Sequence, residues 1–155
     1  MTPKSLLRSE QASSRTEDFI NGRFSEILGS PEVGPPEKMN RVILCSGKVY
    51  YDLLNHREAE KITNAAIVRV EQLYPLAEAK LRDAVSVFPK KAKLIWCQEE
   101  SQNMGAWSYM EPRLWALFGR EVTYVGRNAS ASPAVGSLTI HKREQAQLIA
   151  EAFAL

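Results

Sequence analysis

The sequence contains only two cysteines, Cys45 and Cys97, and neither belongs to a Cys-x-x-Cys pair or to a cluster with histidine. Zinc ligands come in such closely spaced sets, so the sequence predicts no metal site. Each cysteine ends an apolar run, which is typical of a small buried hydrophobic side chain in a reducing compartment.

Long apolar runs and a strong charge imbalance are also missing. No stretch is long enough to span a membrane, and residues 1–10 lack the apolar core of a secretory signal. The formal net charge is only +2, from 20 basic and 18 acidic residues, without a dense run of Lys and Arg. We therefore expect a cytoplasmic protein that binds neither nucleic acid nor a membrane.

What the sequence does contain, from Arg41 onward, is an alternation of short apolar runs with amphipathic segments. This alternation predicts βαβ units and a largely parallel sheet, and right-handed crossovers then place helices on both faces. The predicted fold is α/β, a three-layer αβα sandwich with a mostly parallel sheet. The predicted strands are residues 41–47, 64–72, 92–100 and 121–127, and the predicted helices are residues 48–61, 75–90, a stretch within 106–118, and 140–153.

Three residues are expected to mark helix ends. Pro75 suits the first position of the second helix, where its missing donor costs nothing. Pro112 falls in the first turn of the third helix or kinks it. Gly119 ends that helix.

Residues 1–40 differ from the rest and are predicted to form an N-terminal arm and linker, with residues 41–155 as the domain. The segment 29–38 is rich in Gly and Pro, and Pro35 and Pro36 lack backbone donors and disfavour helix. A short helical turn is expected between Glu17 and Leu28. Two alternatives fit this arm: packing on the domain, or contact only with a partner.

The stretch after the third strand, residues 97–115, places two carboxylates where α/β enzymes often bind ligands. Glu99 and Glu100 are adjacent, so in a strand they point to opposite faces and do not converge on one substrate. Catalysis by either one is therefore the least favoured hypothesis. His56 and His141 accompany no nucleophile pattern and are interpreted as surface or capping residues. We predict no catalytic residue in this chain.

Two interpretations of the same stretch are preferred to catalysis: hydrogen bonds that anchor the loop and the following helix, or a protein interface. The aromatic residues of the stretch, with small polar neighbours, suit a protein contact as well as a core. The candidate interface residues are Glu99, Glu100, Asn103, Gly105, Trp107, Tyr109 and Trp115.

Two other loops are candidate anion sites. Ser46 and Lys48 lie at a strand-to-helix turn that could hold an anion at the helix N-terminus. The turn lacks the glycine spacing of a P-loop, so a tight turn with Ser46 capping the helix is preferred. Arg127, Ser130 and Ser132 could bind a phosphate, or could form an ordered turn into the last helix.

Several long motifs resemble the C-terminal region of the first component of 2-oxoglutarate dehydrogenase, the thiamine-diphosphate-dependent decarboxylating subunit. They are SGKVYYDLL, IVRVEQLYPL, CQEESQNMGAWSYMEPRL and YVGRNASASPAVGSLTIHKREQ. The match runs in order over nearly the whole chain and is weakest in residues 11–40. It implies the C-terminal domain fold of transketolase-like enzymes, with one strand antiparallel to the others.

The resemblance also implies a parent reaction of the tricarboxylic acid cycle: decarboxylation of 2-oxoglutarate and transfer of a succinyl group to a lipoyl arm. Upstream domains of the family bind thiamine diphosphate and Mg²⁺ and supply the catalytic histidines, so we expect no cofactor bound by this chain and no activity alone. The implied partners are the rest of the subunit, its dimer mate, the succinyltransferase and lipoamide dehydrogenase. MTPKSLLR resembles the end of the pyrimidine-binding domain, which suggests a fragment, a split gene or an expressed domain.

Two loops depart from the family's usual pattern. Ser101 and Asn128 stand where relatives have proline, which should loosen both loops slightly. The alternative function is a free-standing regulatory module that binds an acyl-CoA or another anion at residues 127–132. If the chain is isolated, we expect Trp107, Tyr109 and Trp115 to be exposed and to favour self-association.

Overall fold

The structure, a computed structural model, describes residues 3–30 and 34–154. These residues form five strands, five α-helices and three short 3₁₀ turns. The strands are β1 (Ile27–Leu28), β2 (Arg41–Cys45), β3 (Ala65–Val70), β4 (Lys93–Ser101) and β5 (Thr123–Arg127). The helices are α1 (Thr16–Ile20), α2 (Val49–Ala59), α3 (Glu78–Ser86), α4 (Trp107–Phe118) and α5 (Leu138–Ala154).

The strands form one sheet in the order β1-β3-β2-β4-β5. β2 is parallel to both β3 and β4, and β4 is parallel to β5. β1 is antiparallel to β3, with Ile27 opposite Val70. The predicted mostly parallel sheet is confirmed, as is the antiparallel strand that the resemblance implied.

Helices cover both faces of the sheet. α3 and α4 pack on one face, and α2 and α5 pack on the other. Successive side chains of β2 alternate between the two cores, with Val42 and Leu44 in the first and Ile43 and Cys45 in the second. Because both faces are buried, the strand is apolar at each of its four positions from Val42 to Cys45 rather than at alternate ones. The three-layer αβα sandwich is confirmed.

The two cysteines lie opposite each other on the neighbouring strands β2 and β4. Both are free thiols without solvent exposure. Burial raises the pKa of the Cys97 thiol to about 12 and also raises the pKa of Cys45. Both residues therefore act as small apolar core side chains, as their positions at the ends of apolar runs predicted.

Part of the segment 1–40 belongs to the sheet. β1 forms its edge, and Ser30 Oγ accepts hydrogen bonds from the backbone N–H of Ile67 (3.1 Å) and from Arg57 Nη1 (3.2 Å). Upstream, α1 has no buried residue, and Phe19 is 78% exposed. Residues 27–30 thus pack on the domain, while α1 presents apolar side chains to solvent. The division at residue 40 stays a prediction.

The expected start of α3 is wrong. α3 begins at Glu78 rather than at Pro75, because Gln72 Nε2 donates to the carbonyl of Pro75 (2.7 Å) and holds that residue in a turn. Pro112 lies in the second turn of α4 rather than the first, and the alternative that it kinks the helix stays a prediction. Gly119 ends α4 with φ +62°, as predicted. Within the part of the chain that the structure describes, no helix combines the length and the apolar character needed to cross a membrane.

The strand order creates a crevice at the carboxyl edge of the sheet. From β2 the chain passes through α2 on one face to β3, and from β3 through α3 on the opposite face to β4, on the other side of β2. The loops that follow β2 and β4 therefore lead to opposite faces. Ligands of open α/β sheets bind at such topological switch points.

The layer assignment predicts different roles for two neighbouring residues of α4. Leu114 is fully buried, whereas Trp115 is 59% exposed. We expect Leu114→Ala to lower the free energy of unfolding by about 2–5 kcal/mol, because it leaves a cavity in the core. Trp115→Ala should change it by less than about 0.5 kcal/mol in the isolated chain. Urea unfolding followed by circular dichroism measures both values, and equal losses would contradict the assignment.

Candidate functional site

A buried glutamine, Gln98, organises the carboxyl end of β4. It is 3% exposed, and its Oε1 accepts hydrogen bonds from Trp96 Nε1 and from the backbone N–H of Trp107, both at 3.0 Å. Its Nε2 donates to the carbonyls of Ser101 (3.1 Å) and Met104 (2.8 Å). Both donors and both acceptor positions of the amide are therefore used. This one side chain joins the sheet, the loop after β4 and the start of α4.

Trp107 is held in the core by this arrangement. It is the first residue of α4, whose N–H has no partner within the helix, and Gln98 Oε1 supplies one. The Trp107 ring is 6% exposed and packs on Tyr124, with ring centroids 5.2 Å apart. The expectation that Trp107 is exposed is wrong, because its position at the helix start directs the ring onto the sheet. Tyr109 is half-buried, and Trp115 is exposed as expected.

Two glycines fit closely around Gln98. Gly105 has φ +66°, and a Cβ there would lie 2.9 Å from Gln98 Nε2. At Gly126 a Cβ would collide with the hydroxyl of Tyr124 and lie 2.8 Å from the carbonyl oxygen of Gln98. Real Cβ atoms do not approach other atoms so closely, so both positions require glycine.

Asn103 ties the loop after β4 to the loop after β5. Its Nδ2 donates to the carbonyl of Ser130 (2.9 Å), and its Oδ1 accepts from the backbone N–H of Ser130 (3.0 Å). The N–H of Gln102 also donates to the carbonyl of Arg127 (3.0 Å). These bonds fix the two loops against each other, which gives the candidate residue Asn103 a structural role.

The two adjacent carboxylates face opposite sides of the sheet, as predicted. Glu99 points towards α2 and α5, where its Oε2 lies 2.7 Å from Lys48 Nζ. Glu100 points towards α4, where it lies against Gly105. They do not converge on a common point, so the geometry that paired acid and base catalysis needs is not present between them.

Lys48 is engaged by two carboxylates, those of Glu99 (2.7 Å) and Asp52 (3.3 Å). Burial alone would lower the pKa of Lys48, but the hydrogen bonds and charges of these two partners together raise it. No side chain caps α2, so the predicted cap by Ser46 is wrong. Gly47, with φ +75°, turns the chain, and its carbonyl accepts from the N–H of Tyr50 (3.3 Å) instead.

Arg127 is also engaged within the chain. Its Nε donates to Glu144 Oε2 (3.0 Å), and its Nη2 donates to Gln145 Oε1 (2.9 Å) and lies 3.2 Å from His141 Nδ1. Its Nη1 donates to the carbonyl of Glu99. The guanidinium is thus paired with a carboxylate and a carbonyl rather than directed at an open anion site.

Ser130 and Ser132, the two serines of the same candidate anion site, form hydrogen bonds within the turn. The N–H of Ser132 donates to Ser130 Oγ (3.1 Å), and Ser132 Oγ donates to the carbonyl of Ala134 (2.8 Å). These bonds favour the interpretation of residues 128–137 as an ordered turn into α5.

Of the cavities at the carboxyl edge, two are lined by several of the candidate site residues. The first, which we name the switch-point cavity, has a volume of about 370 Å³ and lies in the crevice between the loops after β2 and β4. It is lined by Ser46, Gly47, Leu73, Tyr74, Trp96, Gln98, Glu100, Gly105, Ala106 and Tyr109. The second has a volume of about 710 Å³ and lies on the α5 side, against Lys48, Arg127 and His141. Among residues 3–30 and 34–154, no three His, Cys, Asp or Glu side chains cluster in a way that could hold a metal ion.

Sequence reasoning missed Gln98, Tyr124 and Gly126. Tyr124 donates from its hydroxyl to the carbonyl of Arg127 (2.8 Å), and burial, the largest influence, raises its pKa to about 12, so the hydroxyl stays protonated. The one available signal was the position of Gln98 in the alternating pattern of the strand. It shares its side of β4 with Trp96, so a polar residue there had to be buried and hydrogen-bonded.

Removing the amide of Gln98 should destabilise the protein strongly. Gln98→Leu leaves the Trp96 and Trp107 N–H groups and the two loop carbonyls without partners, at about 1–3 kcal/mol for each buried group that stays unsatisfied. We expect a loss of at least about 3 kcal/mol in the free energy of unfolding, measured by urea unfolding. The matched control is Gln102→Leu in the same loop, where the residue is exposed and the change should stay within about 0.5 kcal/mol. Similar values for the two variants would refute the role of Gln98.

Comparison with known proteins identifies relatives along nearly the whole chain. The family described as "2-oxoglutarate dehydrogenase C-terminal" matches residues 13–153. The chain is 41% identical to the 2-oxoglutarate dehydrogenase E1 component of Cupriavidus necator over 99% of its own length, and 44% identical to that of Geobacillus kaustophilus over 96%. It is 42% identical to the mitochondrial 2-oxoglutarate dehydrogenase of Dictyostelium discoideum over 97%. It spans 16% of each of these proteins.

A solved structure, "Split gene transketolase, inactive beta4 tetramer", aligns with 82% of the chain and with 48% of its own chain, at 19% identity and a TM-score of 0.48. The family match and the identities of 41–44% extend over both the Gln98 loop and the loop that contains Arg127. This chain therefore belongs to the 2-oxoglutarate dehydrogenase C-terminal family.

Proposed function

We propose that this chain acts as the C-terminal, non-catalytic part of the decarboxylating subunit of a 2-oxoglutarate dehydrogenase. The observation that carries this proposal is the family match over residues 13–153, with relatives named as 2-oxoglutarate dehydrogenase E1 components. Because the chain corresponds to 16–17% of those relatives, the reaction belongs to the larger protein, and this chain contributes structure to it.

Under this proposal, the complete subunit decarboxylates 2-oxoglutarate with thiamine diphosphate and Mg²⁺ and passes the succinyl group to the lipoyl arm of a succinyltransferase. Its partners are the dimer mate of the subunit, the succinyltransferase and lipoamide dehydrogenase. The assembly works in the tricarboxylic acid cycle, in the cytoplasm.

The two cations of the candidate anion sites do not fit the diphosphate of the cofactor. A diphosphate needs cations that are free to approach it, whereas Lys48 pairs with Glu99 and Asp52, and Arg127 pairs with Glu144. The same pairing leaves the regulatory alternative, an acyl-CoA site at residues 127–132, without a favouring observation. We therefore assign thiamine diphosphate and Mg²⁺ to other parts of the subunit.

The apolar surface of the chain supports a role in contacts with those other parts. Phe19 and Ile20 on α1 are 78% and 74% exposed, and Trp115 on α4 is 59% exposed. Exposed aromatic and large apolar residues are typical of protein interfaces. We propose that α1 and the outer side of α4 contact the remainder of the subunit or its dimer mate.

A chimera tests the proposal. The matching C-terminal region of the Azotobacter vinelandii E1 component, to which this chain is 42% identical, is replaced by this chain. We expect the chimera to decarboxylate 2-oxoglutarate when thiamine diphosphate and Mg²⁺ are supplied, and the isolated chain to show no turnover. Trp115→Ala should destabilise the chimera by about 1–3 kcal/mol, measured as urea inactivation, because an interface tryptophan loses its contacts.

Two results would contradict this account. Turnover of 2-oxoglutarate by the isolated chain would show that it carries chemistry of its own. A chimera that folds and dimerises but does not decarboxylate 2-oxoglutarate would show that the chain cannot replace the relative's C-terminal region. Leu138→Ala is the comparison variant for Trp115→Ala, since Leu138 is also exposed but lies at the start of α5 rather than on α4.

A further inference from the structure

The switch-point cavity is built from two loops, the end of a strand and a helix. Gly47 comes from the loop after β2, Tyr74 from the loop after β3, and Glu100 and Tyr109 from the end of β4 and from α4. Its volume of about 370 Å³ lies at the small end of the range of about 300–1,000 Å³ for ligand pockets. It therefore suits one long side chain better than a nucleotide-sized molecule.

Two tyrosine rings form the wall of this cavity. The rings of Tyr74 and Tyr109 lie edge to face, with centroids 6.4 Å apart and planes at 71°. Tyr74 is 80% exposed, an unusual burial state for a large aromatic side chain next to an apolar cavity. Leu73 and Ala106 add apolar lining. Aromatic faces that open to solvent in this way attract cations and apolar stems.

The charge in the cavity is a carboxylate without a partner. In residues 3–30 and 34–154, the side chain of Glu100 takes part in no ion pair or hydrogen bond, whereas its neighbour Glu99 is paired with Lys48. Arg113 does not neutralise Glu100, because its guanidinium lies over the ring of Tyr109 (3.6 Å) and donates to that residue's own carbonyl (2.7 Å). The cavity thus combines an unpaired negative charge with aromatic walls.

We propose that the switch-point cavity receives the side chain of an arginine from another polypeptide segment. A guanidinium is planar, stacks on aromatic rings, and bonds a carboxylate with two parallel N–H groups, so it matches both Tyr74 and Glu100. The methylene stem of the arginine packs on Leu73 and Ala106. An anionic or purely apolar occupant would leave Glu100 unpaired.

The source of the arginine is the larger subunit, a statement that rests on the proposed function. This chain spans 16% of its relatives, so most of such a subunit lies outside it and can present a segment to this edge. The binding chemistry itself needs only this chain. The two proposals can therefore be tested independently. The chimera tests the proposed function, and the titration below tests arginine binding in the switch-point cavity.

A titration monitored by nuclear magnetic resonance tests the inference on the isolated chain. The probe is N-acetyl-arginine methylamide, which presents the side chain on a neutral backbone, and the comparison compounds are the norleucine and glutamate analogues and free arginine. We expect saturable shifts of the amide signals of Gly47, Gly105 and Tyr109 with the arginine probe. The norleucine analogue should bind about fivefold more weakly, because it lacks the charge.

Matched variants assign the binding to named side chains. Glu100→Gln should weaken the arginine probe about fivefold, whereas Glu111→Gln, an exposed carboxylate on α4 outside the cavity, should leave it unchanged. Tyr74→Leu keeps apolar volume but removes the ring, and should weaken the probe about threefold.

Several outcomes would overturn the proposal. Equal affinity for the arginine and norleucine probes would make the cavity a purely apolar site. If Glu100→Gln has no effect, or if the arginine probe gives no saturable shift, the cavity does not bind a guanidinium. Tighter binding of free arginine by tenfold or more would identify a small-molecule site instead of a peptide contact.

Discussion

The side-chain amide of Gln98 fixes the geometry on which the carboxyl edge of this protein depends. Its oxygen holds the indole N–H of Trp96 in the sheet and the first N–H of α4, and its nitrogen holds two carbonyls of the intervening loop. A buried polar group that loses its partner costs about 1–3 kcal/mol, so the loop has few alternative conformations. This geometry makes glycine obligatory at position 105 and brings Asn103 within reach of Ser130.

The end of β4 also places two adjacent glutamates in different surroundings on the two faces of the sheet. Glu99 enters a network of ion pairs and hydrogen bonds with Lys48 and Gln145 on the α2 and α5 side, a network in which Arg127 is joined to Glu144. Glu100, one residue later, faces the aromatic cavity on the α4 side without a partner among the described residues. The charges of Glu99 and Arg127 are thus paired within the chain on one face, and the other face has charge and aromatic surface left for a partner. This asymmetry agrees with a domain that contributes contacts rather than catalysis.

The layers of the fold could be predicted from the sequence, since strands buried on both faces read as apolar runs and amphipathic segments alternate with them. The opposite orientation of Glu99 and Glu100 also follows from the period of a strand. The burial of Trp107 did not follow, because helical periodicity does not tell which way the first residue of a helix points. The engagement of Arg127 was missed because its partners on α5, Glu144 and Gln145, lie 17 and 18 residues away in sequence. Contacts of that kind depend on how helices dock, which local patterns do not encode.

Hydrogen exchange tests the central role of Gln98 most directly. The indole N–H of Trp96 and the backbone N–H of Trp107 both donate to Gln98 Oε1, at 3.0 Å. If this amide fixes the edge, both protons exchange only when the whole domain unfolds. Their opening free energies should then equal the free energy of unfolding from urea and that of a central core amide such as Leu44. Exchange of the Trp107 proton through a local opening that costs several kcal/mol less would contradict the account, because the loop and α4 would then move independently of the sheet.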